Sequence, residues 1–415
     1  MAGYFSKTDF TPSTSNTYTV SFWVKINNFA PTSTNVPYLW SISDSDTSGL
    51  FFQADQTPYN ITFFRNNGST RYSPTNYMRD INAWYHIHLK VSSGTGTLYY
   101  NGESVKTSIT VDAQNYNGGG AEHYIHTYGS ATSTYDNLEC IMSHFHFVDG
   151  TAYEPTVFGS TDSTTGEWKI NTNPSVTYGT NGYFILKDGN TGTDHSGNGN
   201  NFTLTGTCTK TEDCPSNVFA TWNPLYKNNS TFSNGNTTSA SGSSGEFNSA
   251  STLGMSSGKW YMEFKRVSGN YPIFGIVDDI ALAEYSNANM GLGKTGTTKS
   301  IALRLNDGKT RVNNVMSTQG GSISNGDIVG VAVDKTTNKI YFSKNGQWSN
   351  GSGAWDSTTF NASTGATDVS SILTGGTWFF ACGTDTGEAS VTFSANFGNG
   401  YFGTTAVSSA GTNAS

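Results

Sequence analysis

Carboxylates are the first side chains to weigh, because hydrolysis of a glycosidic bond needs two of them facing each other across the scissile bond. Asp278, Asp279 and Glu284 lie close together in sequence. The preferred interpretation is a solvated surface loop, since loops carry most surface charge. We therefore predict no catalytic residues and no enzymatic activity.

Two His-x-His pairs are the next candidates. His86 with His88, and His144 with His146, each place two imidazoles on one face of a predicted strand, and Cys140 has the parity of the second pair. Such ligands would suit zinc or nickel if the two strands were neighbours. The alternative is that the rings pack and hydrogen-bond on half-exposed sheet faces.

Aromatic side chains in loop-like stretches suggest binding rather than catalysis. Sugar rings stack their C–H faces on tryptophan or tyrosine, while amides, carboxylates and backbone groups bind the hydroxyls. Each such residue has a structural alternative, because large rings also close the ends of β-sandwiches. The candidate carbohydrate-binding residues are Tyr59, Tyr72, Tyr77, Trp348 and Trp355.

Charge and hydropathy exclude several classes of partner. The 415 residues include 22 Lys and Arg against 30 Asp and Glu, a formal net charge of −8. No basic cluster is present, so neither nucleic acid nor an anionic membrane is an expected partner. No apolar run approaches the roughly 20 residues that span a bilayer. The first residues lack the blocks of a secretion signal, so we expect cytoplasmic synthesis, with Cys208 and Cys214 as free thiols rather than a loop-closing disulfide.

Two strand-turn-strand patterns organise the chain. Residues 84–91 alternate apolar and polar with a period of two, which predicts a strand with one dry face, and Asn101-Gly102 favours a tight turn. The same pattern recurs at residues 327–346, which end in Asn345-Gly346. The two patterns are more than two hundred residues apart. We predict an all-β chain of two antiparallel β-sandwich domains.

Further strands are predicted at residues 18–26, 38–42, 50–53, 61–65 and 138–148. Residues 151–182 are irregular, yet they carry four spaced aromatic residues. Aromatics at such intervals predict a segment packed across a sandwich rather than a free linker. The four are Tyr153, Phe158, Trp168 and Tyr178.

The first half resembles a known family. The runs YTVSFWVKI, MRDINAWYHI, HFVDGTAYEPTVFGSTDSTTGEWK and DHSGNGNNFT, together with YYNG and YGTNGYF, are similar to the LamG-type, concanavalin A-like domain of tail-fibre and other structural proteins of tailed bacteriophages. The resemblance covers residues 1–207 and implies a jelly-roll sandwich of the lectin type. The E-x-D-x-x-E pattern of the related glucanases does not occur in the chain.

The second half resembles a SPRY-like domain. The runs DCPSNVFATWNPL, SSGKWYMEFKRV, PIFGIVDD, DIVGVAVDKTTNKIYFSKNGQW and FFACGTDTGEASVTFSANFG carry the likeness. It implies a second β-sandwich over residues 216–403, a linker at 208–215 and a flexible tail at 404–415. In this pattern the acidic stretch from Asp278 to Glu284 falls in a loop.

The resemblance implies a virion protein of a tailed phage, a tail fibre or particle-surface appendage, assembled in the host cytoplasm. Its expected partners are host-surface polysaccharide and other virion proteins, without membrane insertion. We expect a homo-oligomer, with a trimer as the working assumption, because weak sugar sites gain avidity by repetition. No cofactor is required, but LamG-type domains often hold calcium at a rim loop. Asp44 and Asp46 would supply the oxygen ligands, and a self-capped turn is the alternative.

Two alternative functions stay open. A capsid or tail decoration protein would attach to particles without binding glycans. A polysaccharide-degrading tailspike would require carboxylates that are distant in sequence to converge.

Overall fold

The computed structural model describes residues 3–11, 14–27, 38–43, 48–53, 60–65, 70–76, 78–80, 82–111, 114–115, 122–127, 138–187, 191–241, 248–278, 292–293, 299–370, 372–373, 375–385 and 391–407. In these ranges the chain is almost entirely β-strand, and its one helical element is the 3-10 turn Pro155–Val157. The chain splits into two compact units, Met1–Val218 and Phe219–Ser415. The predicted all-β class with two sandwich-like sets of antiparallel sheets is confirmed. None of the described helices is long and apolar enough to cross a membrane.

Unit 1 is built on two main sheets. Its strands are β1 (Tyr4–Lys7), β2 (Thr14–Ser15), β3 (Tyr18–Ile26), β4 (Tyr38–Ser43), β5 (Ser48–Gln53), β6 (Asn60–Arg65), β7 (Thr70–Tyr72), β8 (Trp84–Ser92), β9 (Thr95–Tyr100), β10 (Glu103–Thr110), β11 (Gln114–Asn115), β12 (Glu122–Ile125), β13 (Cys140–Asp149), β14 (Gly159–Thr161), β15 (Trp168–Ile170), β16 (Tyr183–Ile185) and β17 (Thr203–Thr205).

A seven-stranded sheet runs β17-β1-β12-β4-β5-β6-β7, and a six-stranded sheet runs β10-β9-β8-β3-β13-β16. Between them lies a core to which β3 contributes Val20, Phe22 and Val24, all fully buried. These three side chains alternate with those of Ser21 and Trp23, so one face of β3 lies toward the opposite sheet, and burial of its apolar area is the main stabilising term.

The predicted turns are confirmed. Asn101 and Gly102 have φ values of 48° and 81°, and Asn345 and Gly346 have 48° and 79°. Two consecutive positive φ angles define the turn whose twist matches paired strands, and asparagine followed by glycine tolerates them best. Each turn joins the second strand of its hairpin to a third.

The prediction that only one face of β8 is buried is wrong, because both faces are covered. His86 and His88 are fully buried beneath residues 151–186. Phe158 has its ring centroid 5.5 Å from that of His88, and Trp168 stacks on His86 at 5.9 Å with an interplanar angle of 12°. The predicted packing of this irregular segment across the sandwich is therefore confirmed, and it explains why the histidine side of the strand is dry.

Trp168 fits its place because two glycines flank it. A Cβ atom on Gly102 would lie 2.5 Å from the indole, and one on Gly159 would lie 2.7 Å from it. The indole Nε1 donates to His86 Nδ1 at 3.0 Å. Packing and hydrogen bonding together fix residues 151–186, the cover segment, on the outer face of the six-stranded sheet.

The stretch 208–215 contains Asp213, which is 2% exposed and belongs to unit 1. Its Oδ2 accepts a hydrogen bond from the Nζ of Lys25, 2.5 Å away, and Lys25 is 1% exposed. The indole of Trp84 also donates to Asp213, at 3.3 Å. This buried ion pair anchors the stretch to the outer face of β3 and β8.

Unit 2 repeats the two-sheet plan. Its strands are β18 (Trp222–Asn228), β19 (Ser230–Ser233), β20 (Thr238–Ser241), β21 (Asn248–Ser251), β22 (Lys259–Ser268), β23 (Pro272–Asp278), β24 (Ser300–Arg304), β25 (Lys309–Val312), β26 (Val315–Thr318), β27 (Ile328–Asp334), β28 (Lys339–Lys344), β29 (Gln347–Trp348), β30 (Thr367–Asp368), β31 (Trp378–Thr384), β32 (Thr392–Asn396), β33 (Tyr401–Phe402) and β34 (Thr405–Ala406).

One sheet runs β18-β21-β31-β23-β24-β25-β26, and the other runs β19-β20-β32-β22-β27-β28-β29 with β30 beside β28. Phe264 of β22 and Phe274 of β23 stack at 3.6 Å between them. Val329, Val331 and Val333 of β27 are buried in the same core. Because β27 alternates, its remaining side chains face the outer surface of the eight-stranded sheet.

Candidate functional site

The outer surface of the eight-stranded sheet carries two cross-strand rows of residues. In the first row, Tyr261 of β22 pairs with Ala332 of β27, which pairs with Tyr341 of β28. In the second, Glu263 pairs with Gly330, Gly330 with Ser343, and Ser343 with Trp348 of β29. Directly paired residues share a face, so the register brings side chains from four strands onto one surface. The residues span 261 to 348 in the sequence.

Four rings form a continuous cluster on this surface. The ring centroids of Tyr261 and Trp348 are 6.1 Å apart, those of Trp348 and Phe360 are 6.2 Å apart, and those of Phe360 and Tyr341 are 6.2 Å apart. Tyr261 is 51% exposed, and the other three rings are half-buried. We call Tyr261, Tyr341, Trp348 and Phe360 the aromatic face.

Small residues beneath the rings set their positions. A Cβ atom on Gly330 would lie 2.4 Å from Ser343 Oγ and 2.7 Å from the hydroxyl of Tyr261. Glycine at this position therefore lets the Tyr261 ring lie across the sheet toward Trp348. Any larger residue would push the tyrosine away from the surface.

The loop that carries Phe360 is held by its own hydrogen bonds. Trp348 N–H donates to Ser357 Oγ at 2.9 Å, and Asp356 N–H donates to the Trp348 carbonyl at 2.9 Å. The Asp356 carboxylate accepts from the hydroxyls of Thr358 and Thr359, and hydrogen bonds from these residues lower its pKa. This hydrogen-bonded turn thus positions Phe360 on the surface of the sheet.

Polar groups border the rings. The Tyr261 hydroxyl donates to Glu263 Oε1 at 2.7 Å, and burial followed by the hydrogen bond with Glu263 raises the pKa of Tyr261 well above its usual value. The phenol is therefore a neutral donor at physiological pH. Asp334 lies at the end of the strand, 3.9 Å from the Nζ of the exposed Lys259. Rings for stacking and carboxylates for hydroxyl groups make a surface suited to a polar ligand with an apolar side.

The structure places the predicted carbohydrate-binding residues differently. Trp348 belongs to the aromatic face. Trp355 packs against the core of unit 2 and over Gly320, and its Nε1 donates to the Gly321 carbonyl at 2.8 Å. Tyr72 packs against the core of unit 1, its ring 6.3 Å from Phe63. Tyr59 and Tyr77 lie outside the described residues, so they stay predictions.

Sequence reasoning missed the other three residues of the aromatic face. The alternation in KWYMEF and KIYF could have placed Tyr261 and Tyr341 opposite the buried Met262 and Phe342. No local signal shows that the two strands lie on either side of β27. The position of Phe360 depends on a loop whose hydrogen bonds only the structure reveals.

The histidine pairs form part of the scaffold of unit 1. His88 and His146 both pair with Ser21 across adjacent strands, which confirms that their strands converge on β3. His86 Nε2 lies 2.8 Å from Ser21 Oγ, His88 Nε2 lies 3.0 Å from the Tyr153 carbonyl, and His146 Nδ1 lies 2.7 Å from the Tyr178 hydroxyl. Within the ranges that the structure describes, no three His, Cys, Asp or Glu side chains are arranged to hold a metal ion.

Burial sets the protonation of these rings. It lowers the pKa of His88 to about 4, and burial together with the neighbouring imidazoles holds the pKa values of His86 and His146 well below the usual range. The three rings are therefore neutral at pH 7. They match the alternative prediction, in which the histidines pack and hydrogen-bond instead of binding a metal. They differ from it in one respect, because the rings are buried rather than half-exposed.

Asp44 and Asp46, the expected calcium ligands, lie outside the described residues. A different acidic loop, at Asp194, does lie within the described residues. Its carboxylate accepts hydrogen bonds from the backbone N–H groups of Phe184, Ser196 and Asn200 at 2.8 to 2.9 Å. Asn198 and Asn200 donate to carbonyls of residues 179–182. Hydrogen bonds with the backbone thus account for the polar groups of the Asp194 loop.

The acidic stretch beginning at Asp278 differs from the predicted solvated loop at its first residue. Asp278 ends β23, is 2% exposed and has Lys299 Nζ 3.5 Å from its Oδ2. Asp279 and Glu284 lie outside the described residues. The run from Gly254 to Gly258 has Gly-x-Ser-x-Gly spacing, but it precedes strand β22 rather than a helix, unlike a nucleophile elbow. The four cysteines are free thiols, as expected.

Comparison with known proteins gives a family-model match for one segment of the chain. Residues 2–138 match the model of the concanavalin A-like lectin/glucanases superfamily. No curated protein matches the chain.

Solved structures are similar at low identity. The SPRY domain of human HERC1 is 15% identical, over 42% of this chain and 96% of that domain, with a TM-score of 0.32. A heptameric SAP-like pentraxin from Limulus polyphemus is 18% identical over 37% of this chain and 71% of its own, with a TM-score of 0.28. A candidate carbohydrate-binding protein from Bacteroides ovatus is 16% identical over 49% of this chain and 58% of its own, with a TM-score of 0.32. Residues 2–138 are thus similar to the concanavalin A-like lectin/glucanases superfamily, and the solved structures similar to the chain include a SPRY domain.

Proposed function

We propose that this chain is a non-catalytic carbohydrate-binding protein and that the aromatic face of unit 2 is a sugar-binding surface. The cluster of four rings, Tyr261, Tyr341, Trp348 and Phe360, on the outer surface of the sheet carries the proposal. The Tyr261–Glu263 pair and Asp334 supply hydrogen-bonding groups beside it. The match of residues 2–138 to a lectin and glucanase superfamily supports carbohydrate as the ligand class.

The biological setting is a further part of the proposal. The likeness of residues 1–207 and 216–403 to tailed-phage proteins supports a virion component, a tail fibre or surface appendage, that binds host-surface polysaccharide and attaches to other virion proteins. A homo-oligomer would raise the avidity of single weak sites. Calcium at Asp44 and Asp46 belongs to the same proposal.

Removing a ring from the aromatic face is expected to weaken glycan binding. Tyr261→Ala and Trp348→Ala should each lower affinity for a host-surface polysaccharide by about tenfold, which is the usual effect of truncating a central aromatic contact. Isothermal calorimetry or glycan-array titration of the full chain measures this.

The matched control is Tyr226→Ala, because Tyr226 is 48% exposed but lies on β18 of the other sheet. Its affinity should equal that of the wild type. Equal loss in all three variants, or none, would refute the aromatic face as the site. If the chain attaches to purified virions but has no affinity for glycans, it is a decoration protein. If it releases reducing sugar ends from the polysaccharide, it is a tailspike enzyme.

A further inference from the structure

A second recessed site lies in unit 1, at the edge of its seven-stranded sheet. An open cavity of about 260 Å³ is lined by the β1–β17 pair, residues 191–193 and 201–202, and the start of the 208–213 segment. Pockets for drug-sized ligands begin at about 300 Å³, so this one is suited to a single ring. Its lining includes none of the four residues of the aromatic face.

The floor of the cavity is apolar. Phe5 and Leu204 pair directly across β1 and β17, and Phe202 precedes β17. Leu204 is 43% exposed, whereas Phe5 and Phe202 are 7% exposed. Gly192 keeps this floor open, because a Cβ atom there would lie 3.0 Å from the Phe5 ring. Such a surface fits the C–H face of a pyranose.

The wall of the cavity carries polar groups with unused hydrogen-bonding capacity. Asn201 accepts the Asp194 N–H with its Oδ1 at 2.8 Å, and this leaves its Nδ2 available. The structure shows no partner, among the residues it describes, for the hydroxyls of Thr191 and Thr193 or for the ammonium of Lys210. These groups match the hydroxyl groups of a sugar and one negative charge.

The charge in the cavity is positive, and it is carried by the exposed side chain of Lys210 on a segment anchored at both ends. Lys210 follows Cys208, which packs against the core, and precedes Asp213, which is buried against Lys25. Burial raises the pKa of the Cys208 thiol to about 11, so the cavity holds no thiolate at neutral pH. The nearby Asp194 carboxylate is occupied by backbone N–H groups. Lys210 is thus the one charged side chain among the lining residues that the structure describes.

We propose that this cavity binds a carboxylate-bearing monosaccharide unit, a uronate, with the ring on Phe5, Phe202 and Leu204 and the carboxylate on Lys210. The inference relies on the proposed carbohydrate-binding function for the class of ligand, but it concerns a different unit and different residues. An acidic polysaccharide is the polymer that presents such units.

Saturation-transfer NMR and calorimetry on the full chain test the site with sodium glucuronate, glucose and inorganic phosphate as probes. Glucuronate should bind saturably, and glucose about tenfold more weakly, because one charge-assisted hydrogen bond is lost. Lys210→Met should reduce glucuronate binding to the level of glucose. Leu204→Asp, at an exposed position, should repel glucuronate more than glucose. Lys106→Met, a lysine of the same unit outside the cavity, should have no effect.

The outcomes separate the two sites. Glucuronate binding that is unchanged in Lys210→Met, or absent in the wild type, would overturn the proposal, and so would phosphate binding as tightly as glucuronate. If Tyr261→Ala abolishes glucuronate binding while Lys210→Met does not, the sugar occupies the aromatic face instead. If Tyr261→Ala loses polysaccharide binding but keeps glucuronate binding, the result supports two separate sites, one on the aromatic face and one in the cavity.

Discussion

Acidification from pH 6.5 to pH 5 is expected to destabilise unit 1 by several kcal/mol and to leave unit 2 nearly unchanged. The reason is that four buried rings, His86, His88, His123 and His146, have lowered pKa values, which for His88 and His123 are about 4 and about 3. All seven histidines of the chain lie in unit 1.

The sign follows from proton linkage. In the unfolded chain each histidine binds a proton as the pH falls below about 6.5, whereas the folded ring stays neutral down to its lowered pKa. The contribution of the four buried rings to the stability of unit 1 is therefore present above pH 6.5 and is lost as the pH falls toward 4. Each ring costs roughly 1 kcal/mol per pH unit in this window.

Other groups do not reverse the trend. Burial lowers the pKa of His126, but the neighbouring Cys140 and hydrogen bonds with the Leu138 and Gly3 carbonyls outweigh burial and raise this pKa to about 9. This shift has the opposite sign, but its stabilisation is complete below pH 6.5 and declines only as the pH rises toward 9. Burial raises the pKa values of Asp149 and Glu122, which favours folding slightly on the acid side. The charged neighbours of the four rings are Lys90 and Glu154, which pair with each other near His88, and Lys7, which lies near His123 and further lowers its pKa. His144 adds a further imidazole near His146.

Urea unfolding at closely spaced pH values, read by hydrogen-exchange mass spectrometry, gives the free energy of unfolding of each unit. The exposed His195→Gln serves as the matched control and should keep the wild-type slope. A unit 1 stability that is flat between pH 6.5 and 5 would show that the buried rings are not neutral in the folded protein.

Replacement of Lys25 by methionine is expected to destabilise unit 1 by about 3 to 5 kcal/mol, because it leaves a buried carboxylate without its counter-charge. Lys25 and Asp213 side chains are 1% and 3% exposed. The Trp84 N–H bond to Asp213, at 3.3 Å, is kept in the variant but carries no positive charge, so it compensates only in part. Lys25→Met combined with Asp213→Leu should recover most of the loss, since it removes both buried charges.

The control is Lys169→Met. Lys169 pairs with Asp162 at 2.7 Å, but its side chain is 51% exposed, so the loss should be at most about 1 kcal/mol. Chemical denaturation of the single and double variants gives the coupling energy. A Lys25→Met loss no larger than that of Lys169→Met would mean that Asp213 reaches solvent or is protonated.

Local sequence patterns predict much of the scaffold. Strand β3 was predicted with its observed bounds, and both Asn-Gly turns adopt the expected positive φ angles. These features depend on neighbours within a few residues, whose steric preferences the sequence carries directly. In the low-complexity region after residue 228, by contrast, Ser and Thr obscure the alternation, and β19 to β21 could not be assigned.

Features that need distant residues could not be predicted. The dry second face of β8 exists because a segment more than sixty residues later lies on it, as the His88 contact to the Tyr153 carbonyl shows. The aromatic face needs the pairing of β22, β27, β28 and β29, which alternation within one strand does not specify. The buried Lys25–Asp213 pair joins residues 188 positions apart.

Gly102 is restricted twice over. Its φ of 81° disfavours every residue with a side chain, and the Trp168 indole occupies the space where a Cβ would go. Shortening Trp168 would lift only the steric restriction, and reshaping the turn would lift only the backbone one. Neither change alone therefore makes Gly102 replaceable. The β9–β10 turn and the cover segment can change only together.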